Sequence, residues 1–369
     1  MAARALAAKV ALARTAGRLA RVAGRGGTSL PGKLLMRLEP GAIAALAGRL
    51  PRGSVAISAT NGKTTTAAMA AAILARRGVR LVHNRAGANM AGGIASTLLE
   101  AARGRGIDGE LGLFEVDEFW LGRLADELQP RTLLLGNLFR DQLDRYGELE
   151  TIADRWAAIT ASTAATLVLN ADDPTIASLP GPGPSPHKGP GPSPDTSSPH
   201  IADDAVNLTD SGEGPGPVFF GVEDDAVALP GLPHASDAKH CRGCGRPYVY
   251  DAVYLGHLGR YRCPTGDSVR PAPQVAAEDV VLEGVRSARF TLRTPAGRRP
   301  VRLPLPGLYN VYNALAAAAL GLRLGASLDE VVAGLESVSP AFGRAETVTV
   351  GGRDLSILLV KNPAGANEV

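Results

Sequence analysis

Ser54-Val55-Ala56-Ile57-Ser58-Ala59-Thr60-Asn61-Gly62-Lys63-Thr64-Thr65-Thr66 sets a β-rich apolar run directly before a Gly-Lys-Thr and an Ala-rich helical run. Backbone N–H groups at a helix start present partial positive charge, and glycine lets the main chain approach an anion closely, so this junction suits a phosphate. In that reading Lys63 reaches the β and γ phosphates and the Thr64 hydroxyl ligates Mg²⁺. The general phosphate-loop pattern asks for glycine five residues before Gly62, where this chain has Ile57. Gly-Lys-Thr alone is balanced between a nucleotide loop and an ordinary helix start capped by Thr60 or Asn61, with Lys63 in solvent. The strand before it and the Thr-rich, Ala-rich helix after it favour the nucleotide.

Outward from the loop, short β-rich runs alternate with helical ones. The strand-like runs are Val55–Ile57, Arg80–Val82, Leu111–Phe114, Thr132–Leu135 and Thr166–Leu169; helix-like segments lie near Thr64–Arg77, Ala91–Ala102 and Ile152–Thr163. This pattern predicts an α/β fold with a mainly parallel sheet covered on both faces. At 369 residues the chain exceeds the size at which one core usually stops growing, so two or more domains are expected. Hydrophobic residues make up 45% of the chain but aromatics only 4%, so the cores are expected to be built from Ala, Leu and Val.

A net charge of +3, from 39 basic and 36 acidic residues, is too balanced for bulk nucleic-acid binding. Basic residues do gather at the N-terminus, where Arg4, Lys9, Arg14, Arg18, Arg21 and Arg25 interleave with Ala, Leu and Val. Two readings stay open there: a helix packed on the first domain, or an amphipathic helix at an anionic membrane surface. The same basic spacing breaks any signal-peptide core, and no apolar run reaches transmembrane length. The expected location is cytoplasmic, with a peripheral place at the inner face of the membrane left open.

Leu179–Pro217 is rich in Gly-Pro and Ser-Pro steps and poor in large apolar side chains, which predicts a disordered insertion. Order resumes at Val218–Gly221, with further strand-like runs at Val280–Leu282, Ala288–Leu292 and Val301–Leu303 and a helical run from Asn310 to Leu324. Cys241, Cys244 and Cys263 fall within one short segment, which suits a metal site better than a disulfide framework. Thiols packed in a small hairpin are the plainer alternative. Leu355–Val360 reads as the first strand of a further domain.

Ala59-Thr60-Asn61-Gly62-Lys63-Thr64-Thr65 resembles the phosphate loop of the Mur ligase superfamily, with Ala59 in place of the usual first glycine, a change compatible with negative φ. Further segments match in order. Phe114-Glu115-Val116-Asp117-Glu118 places Glu115 where that family has a glutamate holding a second Mg²⁺. Asn137–Glu148 resembles a segment containing Asp-His-Leu-Asp, with Gln142 in place of the metal-assisting His. Leu169–Pro174 matches another segment that follows a strand. Gly307–Ala316 resembles the helix whose asparagine, here Asn313, contacts adenine, and Phe342–Glu346 carries Arg344 of the Gly-Arg motif that reaches the nucleotide. Read alone, these are an acidic loop, a turn, a capped helix and an ordinary loop. Their shared order implies ATP and Mg²⁺ bound by Thr60, Asn61, Gly62, Lys63, Thr64, Thr65, Asn313 and Arg344, with metal ligands Thr64, Glu115 and Gln142. Lys63 and Glu115 are the expected catalytic pair.

Arg140-Asp141-Gln142, the Cys segment and Lys361–Glu368 together resemble the branch containing the ligase-like subunits of lipid II isoglutaminyl synthase. That resemblance implies ATP-dependent phosphorylation of the D-Glu α-carboxylate of the lipid II stem peptide. Ammonia from a GatD-like glutamine amidotransferase partner would then give D-isoglutamine. It also reads Cys241, Cys244 and Cys263 as a zinc-ribbon site for structural Zn²⁺. Gly266 stands where a fourth cysteine is expected, and His240, His257 or Asp267 are candidate replacements. The implied domains are a basic helical segment at 1–50, a central ATP-binding domain at 51–178, 218–238 and 269–352, insertions at 179–217 and 239–268, and the start of a truncated C-terminal Rossmann-like domain at 353–369. If the chain ended there, weak ATP binding and poor turnover would be expected. Competing expectations are an amino-acid-adding or folylpolyglutamate-type ligase and a non-catalytic nucleotide-binding scaffold.

Overall fold

Every residue of Ser54–Ser58 is buried, as expected for a strand with helices on both faces. The computed structural model describes residues 2–22, 29–84, 87–140, 148–179, 216–234, 236–266, 268–339, 345–351 and 353–358. Three helices open it: α1 (Ala2–Val22), α2 (Leu30–Leu38) and α3 (Ala42–Ala47). There follow β1 (Ser54–Ser58), α4 (Lys63–Arg76), β2 (Leu81–His83), α5 (Ala91–Ala101), the short pair β3 (Ala102–Arg103) and β4 (Gly106–Ile107), and β5 (Leu111–Glu115). Next come α6 (Leu121–Leu128), β6 (Thr132–Leu135), α7 (Glu148–Ser162), β7 (Thr166–Asn170) and α8 (Pro174–Ala177). The remainder is β8 (Val218–Val222), β9 (Val249–Leu255), β10 (Leu258–Arg262), β11 (Val275–Glu283), β12 (Ser287–Thr294), β13 (Gly297–Leu303), α9 (Leu308–Arg323), α10 (Leu328–Glu336), β14 (Ala345–Val350) and β15 (Arg353–Leu358).

The main sheet has the order β13-β12-β11-β8-β7-β6-β1-β5-β2. From β2 to β11 all neighbours are parallel; β12 and β13 add antiparallel at one edge. That edge strand carries Arg298, Arg299 and Pro300, exposed residues that discourage pairing with another sheet. The expected mainly parallel α/β fold is what the chain adopts.

Strand alternation divides the interior between two faces. Val55, Ile57, Leu134 and Val168 pack into one core with α4, α9 and α10, whereas Ala56, Leu133, Leu135, Leu167 and Leu169 pack into the other with α1, α2, α3, α5 and α6. Ala, Leu and Val dominate both cores, as the composition implied. Small residues set the spacing: a Cβ on Gly334 of α10 would lie 2.7 Å from Ile73 Cα of α4, so those helices approach backbone to backbone. In α1, Leu6, Val10 and Ala13 face inward, Lys9 pairs with Glu39 at 2.9 Å, and Leu12 and Leu19 stay exposed.

Several elements differ from expectation. Helix α6 is short, but Leu121, Leu124, Ala125 and Leu128 form one apolar stripe. Helix α10 starts at a capping box between Ser327 and Glu330. Strand β11 is longer than the expected Val280–Leu282 run and breaks register between Glu278 and Val281, where Asp279 has φ 51°. The Cys segment contains the hairpin β9–β10. Among the described residues strand β15 pairs only with β14, so the boundary expected at 352/353 runs through a hairpin. The expected disordered stretch lies, apart from Leu179, Gly216 and Pro217, outside the described residues. Among the described residues no helix is long and apolar enough to cross a membrane.

Candidate nucleotide and metal sites

Central strand β1 lies beside β6, and the connection leaving β1 runs toward β2 while the one leaving β6 runs toward β7, in opposite directions along the sheet. Ligands of open α/β sheets bind beyond the strand C-termini at such a switch point. The loop after β1 lies there. Gly62 has φ 84°, and a Cβ on it would sit 2.0 Å from Asn313 Oδ1, so only glycine fits. Ala59 avoids positive φ, as its substitution for glycine required.

Main-chain bonds fix the loop against the segment after β6. Thr60 N donates to Asn137 O at 3.0 Å. Asn61 N donates to Asn137 Oδ1 at 2.9 Å, and Asn137 Nδ2 returns a bond to Asn61 O at 3.0 Å. The Thr60 hydroxyl accepts from Phe139 N at 3.0 Å and donates to Phe139 O at 3.1 Å. Thr60 thus shapes the loop with its side chain.

Neither the capped-start reading nor a solvated Lys63 holds. Gly62 is the N-cap and no side chain caps the helix. Lys63 is buried, and its ammonium donates to Glu118 Oε2 at 2.7 Å, to Thr60 O at 3.3 Å and to Ala59 O. An ammonium has three protons, and these acceptors use them all, so Lys63 must exchange a partner to reach a phosphate. Burial pushes the Glu118 carboxyl above its ordinary range, against the pull of Lys63. Trp156 Nε1 donates to Glu118 O at 3.2 Å and anchors that residue's backbone.

Thr64 and Thr65 occupy the first turn of α4, half-buried. Glu115 ends β5, buried, its backbone clasped by Asn84, which accepts from Glu115 N at 2.9 Å and donates to Glu115 O at 2.8 Å. Asn313 donates to Asn310 Oδ1 at 3.1 Å and accepts from the Thr66 hydroxyl at 3.3 Å. A recess beside the loop is lined by Ile57, Ala59, Asn61, Asn137, Phe220 and Asn313. Thr60–Thr65, Glu115 and Asn313 therefore stand at one end of the sheet. Gln142 and Arg344 lie outside the described residues.

Sequence reading missed several groups. Glu118 and Asn137 sat inside quoted motifs without a role. Asp172 is fully buried and accepts from Arg270 Nε at 2.6 Å, Val222 N at 2.8 Å and the Tyr312 hydroxyl at 2.6 Å. Burial drives its carboxyl upward, with Arg270 opposing. Burial alone would lower the Arg270 guanidinium, but Asp172 and Glu223 hold it above its ordinary value. Nothing local in sequence marks that pair, because its members are brought together only by the sheet.

The Sγ atoms of Cys241, Cys244 and Cys263 lie within 4.8 Å of one another. Cys244 and Cys263 are 3.3 Å apart, well beyond a disulfide bond of about 2.05 Å. Matching turns present them: Cys241 N bonds Arg246 O at 2.8 Å, and Cys263 N bonds Ser268 O at 2.7 Å. The Thr265 hydroxyl at 2.9 Å holds the Cys263 thiol below its ordinary value, which favours the thiolate. Tetrahedral zinc with bonds of about 2.3 Å separates its sulfurs by about 3.8 Å, so the donor set fits such an ion. His257 is not part of the cluster; it is buried against Phe139 and Asp173. His240 is exposed and also outside it, and Asp267 is outside the described residues.

Residues 57–182 match the family described as the Mur ligase middle domain. The chain is 30% identical to the lipid II isoglutaminyl synthase (glutamine-hydrolyzing) subunit MurT of Streptococcus pneumoniae strain ATCC BAA-255 / R6, over 94% of this chain and 68% of that protein. It is 27% identical to the subunit of the same name from Staphylococcus aureus strain N315, over 96% of this chain and 72% of that one. Among solved structures, a pseudomurein peptide ligase type C from Methanothermus fervidus matches with TM-score 0.64 and 26% identity, covering 88% of this chain and 56% of the other. A MurF ligase from Thermotoga maritima in complex with ADP shares the fold, with TM-score 0.54 and 15% identity, over 87% of this chain and 56% of that one.

Proposed function

The chain belongs to the MurT family of Mur ligase-type proteins, and from that premise we propose that it is the ATP-dependent synthase subunit of a lipid II isoglutaminyl synthase. The observation that carries the reading is the Gly62–Asn313 contact: a left-handed glycine, packed on α9, that opens a backbone cradle at the end of β1. In this reading the γ-phosphoryl group passes from ATP to the D-Glu α-carboxylate of the stem peptide, releasing ADP. Ammonia nitrogen then attacks the acyl carbon, inorganic phosphate leaves, and an amide remains. Lys63 leaves Glu118 to neutralise charge on the transferring group, and the N–H groups of 62–64 orient the phosphates. Thr64, Glu115 and Gln142 are the proposed ligands of Mg²⁺, which screens phosphate charge when bound. Asn313 and Arg344 hold the nucleotide.

Ammonia comes, in this proposal, from a GatD-like glutaminase in a heterodimer. Cys241, Cys244 and Cys263 hold a structural zinc ion. Exposed Leu12, Arg18 and Leu19 on the outward face of α1 support a peripheral position at an anionic membrane, where a lipid-linked substrate resides. The test is ATP hydrolysis and lipid II amidation with and without the glutaminase. Activity in a Lys63→Ala variant equal to that of the unaltered protein would overturn this mechanism.

A further inference from the structure

Hairpin β9–β10 carries Cys263 just beyond its open end and His257 at its turn. His257 has 0% exposure, and neither ring nitrogen has a hydrogen-bond partner. A polar ring buried this way costs free energy, so its contacts need a reason. Its imidazole lies on Phe139, ring centroids 4.6 Å apart, and Nε2 is 3.3 Å from Asp173 Oδ2. The turn presses close: Gly256 has φ 59°, and a Cβ there would come within 2.8 Å of the Phe139 ring. Tyr250, whose hydroxyl donates to His257 O at 3.0 Å, fixes the turn from within the hairpin.

Asp173 and Phe139 both lead from the His257 ring to the phosphate loop. Asp173 Oδ2 accepts from Leu138 N at 2.9 Å, while Oδ1 accepts from Thr175 N and Ile176 N at the start of α8. Phe139 bonds the Thr60 hydroxyl through both its N–H and its carbonyl. Between them, Asn137 braces Thr60 and Asn61. Residues 137–139 are thus clamped between the hairpin turn on one side and the loop on the other.

We propose, resting on nucleotide binding by the loop at 59–65, that His257 is a positioning residue for that site. Through it the cysteine-bearing hairpin holds residues 137–139 against Thr60 and Asn61 and sets the direction of the loop N–H groups. This gives the inserted hairpin a task at the ATP site, reached without touching the ligand.

The test compares ATP·Mg²⁺ affinity, melting temperature and amide hydrogen exchange at 59–64 in the full chain. His257→Phe keeps a ring on Phe139 but removes the contact to Asp173; Thr60→Val cuts the last link; Tyr254→Phe changes the same hairpin at a hydroxyl that makes no hydrogen bond. The expected result is an affinity about tenfold weaker for His257→Phe, within the usual range of coupling between contacting groups, with faster loop exchange. Thr60→Val should weaken binding similarly, and the double variant should fall short of the product of the two effects. Tyr254→Phe should bind as the unaltered chain does. If His257→Phe is too unstable to measure, Phe139→Leu interrupts the same contact from the other side. A lowered melting temperature with unchanged affinity and unchanged loop exchange overturns the proposal. No ATP binding by the unaltered chain would instead overturn the nucleotide reading beneath it.

Discussion

Lys63 is held by a buried carboxylate and two loop carbonyls. A buried ion pair combines a Coulomb attraction with a desolvation cost of similar size, so exchanging Glu118 for a phosphate is feasible. Lys63→Ala should lower amidation by about 10²–10³-fold, the usual loss for one preorganised group at developing charge, as read from steady-state rates. Glu118→Gln keeps the shape but removes the competing charge, so Mg²⁺-free ADP should bind more tightly by calorimetry. Weaker binding would make Glu118 a direct participant and discard its role as a resting partner. Gly62→Ala should abolish nucleotide binding, since the new Cβ meets Asn313 and the backbone is left-handed. The loop was legible because its chemistry is local: strand, glycine, lysine, threonine. Glu118 was in view but had no role, because its partner lies 55 positions earlier in the chain. Arg270 and Asp172 were illegible, since only the folded sheet joins them.

Elements follow the same division. Strands β1, β5, β6 and β7 were readable because each is a continuous apolar run buried on both faces, and α4 and α9 because they are long. Helices α6 and α10 escaped because they are short and identified mainly by packing and capping. Strand β11 was misjudged in length because its bulge at Asp279 interrupts the period of two. Tyr312 ties α9 to Asp172, so Tyr312→Phe should cost about 1–3 kcal/mol by denaturant unfolding, the expected penalty for leaving a buried acceptor short of a donor. Gly334→Val should cost at least about 1–3 kcal/mol through overpacking of α10 on Ile73. At the sheet edge, Arg298 and then Arg293 hold the Glu278 carboxyl below its ordinary range. A depressed carboxyl stabilises above the unfolded value and loses that contribution as pH falls through the folded one. Melting curves should therefore show Glu278→Gln less stable at pH 7 and equal to the unaltered protein at low pH.

For the whole molecule, the proposed nucleotide loop and a thiol cluster belong to one α/β fold, with a basic helix laid on one face. If α1 meets an anionic membrane, the chain should co-sediment with phosphatidylglycerol vesicles and not with neutral ones. Leu12→Asp with Leu19→Asp should release it, and equal sedimentation of both forms would remove α1 from that role. The family assignment was accessible from sequence because several modest motifs keep one order along the chain; the three-dimensional links between them were not. ATP-driven amidation of lipid II is measured most directly by mass spectrometry of lipid II incubated with the protein, the proposed glutaminase partner, glutamine and ATP·Mg²⁺. Conversion of the D-Glu carboxyl to a carboxamide is expected, with one ADP released per amide formed and a rate about 10²–10³-fold lower for Lys63→Ala. Amide formation without ATP, or attachment of an amino acid where ammonia is expected, would contradict it.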